Sequence, residues 1–292
     1  MTTAYVLSGG GSLGAVQVGM LQALAARGER PDLLVGTSAG ALNAAFLASH
    51  GPSVTSLEAL AAIWVRVRRR DVFSGSLGRQ VAGLAGRHDS LFSSDGLRRV
   101  IADQLSFARL EEAPIPLHVV TTNLLSGEEV VLSTGDAVSA VLASTAVPGL
   151  LPAVHREGLV LVDGGLADNT AISQAVRLGA NRVVVLPAGV ACALAEPPAS
   201  PFAAALQALS FLTQQRLIHD VEAFADVVEL HVMPPLCPLG VSPGSFSHAA
   251  ELIERARRAT TSWLDAGQDR LPHQERFLSL HHHPNLTRQD CA

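Results

Sequence analysis

The sequence predicts an α/β fold, a three-layer α/β/α sandwich with a mainly parallel central sheet. Short apolar, β-prone runs alternate with helical patterns along most of the chain. The runs are apolar throughout, which is typical of parallel strands covered on both faces. The composition, 48% apolar and 16% charged, is rich enough in nonpolar residues for a sizeable buried core.

Local patterns predict the individual elements. AYVLS near the start is the first strand, and the four-residue spacing of Val16, Met20 and Leu24 predicts a helix ending at Gly28. LLVG at 33–36 is the second strand, and AGALNAAFLAS forms the second helix. The later elements are predicted as helices at 56–70, within 93–105, and at 136–146, 170–178, 202–225 and 247–265, with strands at 118–124, 129–133, 159–163, 182–187 and 227–232.

The domain organisation is predicted to be simple. No internal repeat and no strong boundary interrupts residues 1–267, so they form one domain. From Gln268 the chain turns polar, and residues 268–292 are predicted to be a disordered tail. His281–His283 lie in this tail, where adventitious metal binding is the alternative interpretation.

Charge and cysteine content exclude several protein classes. Twenty-one basic residues, all arginine, and 26 acidic residues give a net charge of −5, which does not fit a nucleic-acid-binding protein. The three cysteines are too few for a disulfide framework.

The N-terminus does not resemble a signal peptide, and the apolar run 33–49 is better explained by a strand, a turn and a helix than by a membrane span. We expect a cytoplasmic protein.

A glycine loop follows the first strand. GGGSLG, Gly9–Gly14, fits the dinucleotide pattern G-x-G-x-x-G. That fingerprint also needs an acidic residue at the end of the next strand, whereas Asp32 precedes the second strand, so the interpretation fails. The alternative role is to aim backbone N–H groups at negative charge, such as the oxyanion of acyl transfer. A tight turn without a ligand stays open as an explanation of the loop alone.

GTSAG, Gly36–Gly40, stands between an apolar strand and a helix of small residues. This is the context of a nucleophile elbow, in which a strained turn exposes the hydroxyl of Ser38. Successive parallel strands end at the same sheet edge. Gly9–Gly14 could therefore donate to the oxyanion of a substrate attacked by Ser38.

A serine nucleophile needs a general base. No histidine after Ser38 lies at the end of an apolar strand beside a glycine. Asp163 does, in VLVDGG, although a cap or turn role is the alternative for an Asp followed by Gly. Asp136 and Asp168 are interpreted as caps of the helices that follow them.

GGGSLG, GTSAG and DGG, in this order, resemble the patatin-like phospholipases. The resemblance extends from Tyr5 to Val232. It includes segments similar to the family's Ala/Ser-x-Ala-x-Pro region, its D-G-G-x-x-x-N stretch and the preceding hairpin: LASTAVPGLLPAV, DGGLADNT and TTNLLSGEEVVL. The helix containing QQRLIHD resembles the corresponding helix in the bacterial branch of the family.

The resemblance implies that Ser38 is the nucleophile and Asp163 the proton acceptor. It implies a nucleophile elbow that contains Gly36 and Gly40, and a base loop that contains Gly164 and Gly165. It also implies an oxyanion hole formed by the glycine loop: Gly9, Gly10, Gly11, Ser12, Leu13 and Gly14. Many family members have Arg or Lys where this chain has Leu13. The hole would then rely on backbone dipoles alone.

The implied reaction is hydrolysis of a lipid ester, a phospholipid or lysophospholipid, through an acyl-serine, with no metal or organic cofactor. An aspartate with its ordinary pKa near 3.9 is a weak base, so the oxyanion hole and positioning would dominate. The alternatives are a lipid acyltransferase and a non-catalytic lipid-binding protein of the same fold. A Ser-Asp-His triad is disfavoured because Ser38 follows so soon after the first strand.

Two features bear on the substrate. The Gly/Ser-rich residues 74–93 are either a mobile apolar flap over an acyl channel or an ordinary surface loop. Arg66 and Arg68–Arg70 end a helix, where basic residues suit the macrodipole. Their alternative role is transient contact with an anionic membrane surface.

Overall fold

A computed structural model describes residues 1–75, 78, 80, 89–194, 196–198 and 201–279. A mixed sheet runs through its centre. The strands are β1 (Thr3–Leu7), β2 (Leu33–Thr37), β3 (Leu117–Asn123), β4 (Glu129–Leu132), β5 (Val154–Arg156), β6 (Leu159–Asp163), β7 (Arg182–Leu186) and β8 (Glu229–Val232). The helices are α1 (Gly14–Ala25), α2 (Ala39–His50), α3 (Val54–Arg66), α4 (Arg69–Val72), α5 (Asp95–Ala102), α6 (Ala137–Ser144), α7 (Ile172–Arg177), α8 (Pro201–Phe224) and α9 (Ala249–Asp265).

The strand order is β5-β6-β3-β2-β1-β7-β8, and β4 pairs with β3. Strands β3, β2, β1, β7 and β8 run parallel, while β4, β6 and β5 join antiparallel. The predicted α/β class with a mainly parallel sheet is confirmed, and the antiparallel strands make the sheet mixed. Strand β5 was not predicted, because it has only three residues, none of them buried, and carries no apolar run.

Both faces of the sheet are covered at its centre, which explains why β1 and β2 are fully buried and mostly apolar. On β1, Tyr5 and Leu7 belong to a core shared with α1, α2, α3 and α9. The alternate residues Ala4 and Val6 belong to a second core shared with α7 and α8. The two cores give the predicted three layers.

The helix predicted at 56–70 is two helices in the structure. Helix α3 ends at Arg66, and the backbone of Val67 and Arg68 is extended. The N–H of Arg68 donates to the carboxylate of Asp71 at 2.8 Å, which starts the short helix α4. The side chain of Asp71 therefore caps a new helix at Arg68 and divides the predicted helix in two.

The start of the predicted tail is packed against the fold, so the boundary at 268 is wrong for residues 268–279. They form the 3-10 helices Gln268–Arg270 and Gln274–Leu278. The side chain of Gln274 accepts from the N–H of Val232 at 2.6 Å and donates to the carbonyl of Leu230 at 2.8 Å. A buried glutamine thus bonds to β8, which polar composition alone did not reveal.

Parts of two predictions lie outside the described residues. They are most of the Gly/Ser-rich segment interpreted as a flap or a surface loop, at 76–77, 79 and 81–88, and the tail from 280 onward with His281–His283. At the described ends of the Gly/Ser-rich segment, Ser74 bridges to Ser93, and Leu91 and Phe92 pack against the core. Within the described ranges no helix is long and apolar enough to cross a membrane.

Candidate active site

Strand β3 brings the predicted nucleophile and base together. Its residue Val120 pairs with Thr37, the residue before Ser38. The next residue of β3, Thr121, pairs with Asp163 at the end of β6. Pairing at consecutive positions of one strand therefore brings Ser38, which follows Thr37, close to Asp163, although the two are 125 residues apart in sequence.

Ser38 lies in a strained turn between β2 and α2. Its φ of 53° and ψ of −120° are unusual for a residue with a side chain. The N–H of Ser38 donates to the hydroxyl of Ser144 at 2.8 Å, and that hydroxyl donates to the carbonyl of Val120 at 2.6 Å. These contacts fit the predicted nucleophile elbow, in which surrounding structure holds an unfavourable backbone conformation.

The hydroxyl of Ser38 donates to Oδ2 of Asp163 at 2.6 Å. The other carboxylate oxygen, Oδ1, accepts from the N–H of Gly165 at 2.8 Å. The Ser38 and Asp163 residues are only 9% and 7% exposed, respectively. The carboxylate is therefore oriented by the predicted base loop and points at the predicted nucleophile.

Burial changes the basicity expected of Asp163. Removal from water raises the pKa of this carboxyl to about 6, while the hydrogen bonds from Ser38 and Gly165 oppose the rise. The raised pKa makes the Asp163 carboxylate a stronger base than an ordinary aspartate, whose pKa lies near 3.9. It is still mostly ionised at neutral pH.

None of the histidines in the described part of the chain hydrogen-bonds to Ser38 or Asp163. His50 bonds to the carbonyl of Gln104, His118 to the hydroxyl of Ser133, and His231 to Glu229. The geometry therefore pairs the serine with a carboxylate, as the resemblance implied.

The glycine loop offers fewer free amides than predicted. Four of its six N–H groups donate to protein carbonyls: those of Gly9, Ser12, Leu13 and Gly14. Ser12 donates to the carbonyl of Pro243 at 2.9 Å, so the implied role of its amide is not met in this structure. The N–H groups of Gly10 and Gly11 have no acceptor among the described residues. The available part of the predicted hole is this pair.

A buried polar network holds the two ends of the glycine loop. The amide of Gln17 donates to the carbonyl of Ser8 at 2.8 Å, and the amide of Asn43 donates to the carbonyl of Gly14 at 2.9 Å. Asn43 also donates to Gln17 and accepts from the indole of Trp64. Sequence reasoning missed these residues, although polar side chains in apolar helices signalled them.

Two of the predicted glycines are required by close backbone approach. A Cβ at Gly40 would lie 2.1 Å from the carbonyl oxygen of Leu7, and one at Gly164 would lie 2.3 Å from that of Val120. A Cβ at Gly36 would similarly lie 2.7 Å from the Cα of Ala41, whereas one at Gly165 would lie 2.8 Å from the side-chain Oδ1 of Asn169. The elbow and the base loop thus pack against neighbouring segments without room for side chains.

The segment after the base loop connects Asp163 to the glycine loop. Gly9 donates its N–H to the carbonyl of Asn169 at 3.2 Å, and the Asn169 amide donates to the carbonyl of Gly9 at 3.3 Å.

Asp168, predicted as a cap, accepts from the N–H of Thr170. Burial, with Glu129 and Asp220 nearby, raises the pKa of Asp168 to about 7, and Arg216 opposes this.

An apolar cavity opens beside Ser38. It contains about 960 Å³ of empty space, part of it open to solvent. Its wall is almost wholly nonpolar and includes Leu42, Phe46, Ile63, Val72, Leu105 and Phe246. Such a cavity suits a hydrocarbon chain.

A second, wider groove is also lined by Ser38. It contains about 2230 Å³ of empty space including open solvent, and Ser38, Asp163, Gly10 and Gly11 line it. Arg69 is the one cation in its described wall and lies 5.9 Å from the ring centroid of Phe73. Of the arginines at the end of the predicted helix, Arg66 and Arg68–Arg70, Arg69 alone lines the groove.

Comparison with known families identifies one match. The profile described as "Patatin-like phospholipase" matches residues 5–176, more than half of the chain. The match contains Ser38, Asp163 and the complete glycine loop.

Two curated relatives are informative. "Patatin-like phospholipase domain-containing protein 7" of Mus musculus is 30% identical over 191 residues, covering 64% of this chain and 13% of the mouse protein. "Lysophospholipase NTE1" of Scheffersomyces stipitis is 30% identical over 186 residues, covering 64% and 12%. The aligned region is about an eighth of each relative's length.

Solved structures with a similar arrangement are more distant in sequence. VipD from Legionella pneumophila is 17% identical with a TM-score of 0.47, covering 91% of this chain and 67% of that one. Human GIVD cytosolic phospholipase A2, solved with methyl gamma-linolenyl fluorophosphonate, is 12% identical with a TM-score of 0.47, covering 95% and 60%.

Proposed function

The chain belongs to the patatin-like phospholipase family, and from this premise we propose that it hydrolyses lipid esters through an acyl-serine intermediate. The observation that carries the proposal is the 2.6 Å hydrogen bond from the Ser38 hydroxyl to a buried carboxylate of Asp163. Ser38 also borders both an apolar cavity and a groove lined by Gly10 and Gly11.

In the first half-reaction, Oγ of Ser38 attacks the ester carbonyl as its proton passes to Oδ2 of Asp163. The carbonyl oxygen becomes an oxyanion, which the N–H groups of Gly10 and Gly11 stabilise. The carbon–oxygen bond to the alcohol then breaks, and Asp163 returns the proton to the leaving oxygen. The products are a free alcohol and an acyl ester on Ser38.

In the second half-reaction, water attacks the acyl-serine. Asp163 accepts a proton from this water, and the same pair of amides stabilises the second oxyanion. Collapse releases the carboxylic acid, and Asp163 returns the proton to Oγ of Ser38. A carboxylate with a pKa of about 6 is suited to both transfers near neutral pH.

The two cavities support a lipid as the substrate. The apolar cavity beside Ser38 suits one acyl chain. The groove suits the remainder of the lipid, and Arg69 supplies a positive charge for a phosphate. We therefore propose phospholipids or lysophospholipids, met at a membrane surface from the cytoplasm. Membership of a bacterial branch stays a prediction, and no metal or organic cofactor takes part in the scheme.

A hydrolysis panel tests the proposal. Wild type, Ser38→Ala and Asp163→Asn are assayed on p-nitrophenyl esters of increasing chain length and on phospholipids and lysophospholipids. We expect fatty acid release by wild type and loss of turnover in both variants. Wild-type activity retained by Ser38→Ala would overturn the proposal. Transfer to an added alcohol or thiol in place of water would identify an acyltransferase.

A further inference from the structure

Two neighbouring segments contact the glycine loop. We call residues 187–194, which follow β7, the connector segment, and residues 234–248, between β8 and α9, the capping loop. In the connector segment, the N–H of Ala188 donates to the Ser8 hydroxyl at 2.8 Å. A Cβ placed on Gly10 would lie 2.4 Å from the Cβ of Ala188. The connector segment therefore packs directly on the loop.

The capping loop contacts the next residues of the same glycine loop. The carbonyl of Pro243 accepts from the N–H of Ser12 at 2.9 Å, and the carbonyl of Ser242 accepts from its hydroxyl at 3.3 Å. Pro243 and Phe246 also form part of the apolar cavity wall. Movement of this loop would therefore change both the Ser12 amide and access to the cavity.

A pair of cysteines lies where the two segments meet. Sγ of Cys192, in the connector segment, is 3.4 Å from Sγ of Cys237, in the capping loop. The N–H of Ala193 donates to the carbonyl of Leu239 at 3.1 Å and holds the segments side by side. Cys237 is exposed and Cys192 is half-buried, so a small oxidant can reach the pair.

We infer that Cys192 and Cys237 form a redox-sensitive latch, whose disulfide ties the capping loop to the connector segment. A disulfide bond is about 2.05 Å long, so the sulfurs need to approach by only about 1.4 Å. Each thiol loses its hydrogen as the sulfur–sulfur bond forms. The two electrons and two protons pass to a small-molecule disulfide, which leaves as two thiols.

The latch acts on access to the site. In the reduced protein, the capping loop is attached to the glycine loop and to neighbouring segments by noncovalent contacts. In the oxidised protein, a covalent bond also fixes it to the connector segment, so Pro243 and Phe246 stay in place. This consequence rests on the proposed lipid hydrolysis, since a bulky lipid needs the loop to move more than a small ester does.

The covalent step is tested on the full chain carrying Cys291→Ser, which leaves only the two cysteines of the pair. The protein is incubated with oxidised or reduced glutathione, and its intact mass and non-reduced tryptic peptides are measured. We expect the loss of two hydrogens and a cross-link between the peptides containing Cys192 and Cys237. Two unchanged thiols, a stable glutathione adduct or a link between two chains would overturn the inference.

The latch itself has a readout that does not need activity. Chymotrypsin cleavage after Phe246 should slow when the protein is oxidised and recover when it is reduced. The matched control adds Cys237→Ser, in which oxidised glutathione should leave the cleavage rate unchanged. Equal cleavage rates in the oxidised and reduced protein would overturn the latch even if the disulfide forms.

Turnover then separates this inference from the proposed function. Oxidation should lower kcat/KM for a long-chain lysophospholipid about fivefold or more, within the range of typical coupling between sites. It should leave the rate on an acetyl ester unchanged. An oxidised protein as active on the lipid as the reduced one would contradict the latch, whereas a protein inactive in both states contradicts only the hydrolase proposal.

Discussion

The hydroxyl of Ser144 accepts a hydrogen bond of 2.8 Å from the backbone N–H of Ser38. It donates in turn to the carbonyl of Val120 at 2.6 Å, and Ser144 is fully buried. One side chain from the end of α6 thus joins the strained turn of Ser38 to the strand that also positions Asp163. This makes Ser144 a positioning residue for the proposed nucleophile.

Ser144→Ala should lower both stability and turnover. The substitution leaves a buried N–H and a buried carbonyl without their partner, which costs about 1–3 kcal/mol. The turn at Ser38 should relax, so kcat should fall while KM for a small ester stays nearly constant. Chemical denaturation and steady-state kinetics measure the two effects. Ser144→Thr keeps the hydroxyl and should recover part of kcat, and an equal loss in both variants would contradict positioning by the hydroxyl.

Activity should depend on the ionisation of Asp163. Because burial raises the pKa of this carboxyl to about 6, kcat/KM should rise about tenfold per pH unit below that value and level off above it. A pH series on a neutral ester measures the profile. Asp168→Asn is the control, since removing this second carboxyl with a raised pKa should leave the midpoint unchanged. A midpoint near 4 or a shift in the control would contradict the assignment.

Asp163→Asn should abolish turnover and stabilise the fold. An acid whose pKa is raised by folding binds its proton more tightly in the folded protein, so stability falls as the pH rises from the ordinary pKa near 3.9 to about 6, and it stays at this lower value above pH 6. At pH 8 the neutral amide should raise the free energy of unfolding by about 1–3 kcal/mol. At pH 4, near the ordinary pKa, the gain should shrink. Denaturant titrations at the two pH values measure it, and a less stable variant at pH 8 would contradict this prediction.

The apolar cavity should set acyl-chain length. Ile63 lies in its wall and is only partly buried, so Ile63→Trp can fill space without disrupting the deep core. The variant should lose kcat/KM for long-chain esters and keep it for acetyl esters. A ratio of the two rates equal to that of wild type would show that the acyl chain lies elsewhere.

Arg69 should select lipids with phosphate. Arg69→Gln should lower kcat/KM for an anionic phospholipid about tenfold, which corresponds to about 1.5 kcal/mol, the lower end of the range for a hydrogen bond to a charged group. It should leave the rate on a neutral monoacylglycerol unchanged. Arg70→Gln is the matched control, since that side chain is exposed and does not line the groove. Similar losses in both variants would indicate general membrane attraction.

The sequence predicted the strands and helices well, because they follow from apolar periodicity. Strand β6 matches its predicted residues 159–163, and the glycine motifs predicted which loops meet at one sheet edge. The proximity of Ser38 and Asp163 followed from the order of three motifs together with the family resemblance.

The remaining features depend on long-range contacts. The carbonyl of Pro243 accepts a hydrogen bond from the N–H of Ser12, although the two residues are more than 200 positions apart in sequence. Gln274 holds a predicted tail segment on β8 through bonds that polar composition hides. The pKa of Asp163 depends on burial, which a motif does not report. Each of these required the three-dimensional arrangement.

Covalent labelling tests the central claim most directly. The full chain is treated with an alkyl fluorophosphonate, digested and mapped by mass spectrometry, with Ser38→Ala as the control. The account predicts one phosphonyl group per chain, on Ser38, and no label in the control. A label on a different residue, or an unlabelled Ser38 in folded wild-type protein, would contradict a nucleophile at this position.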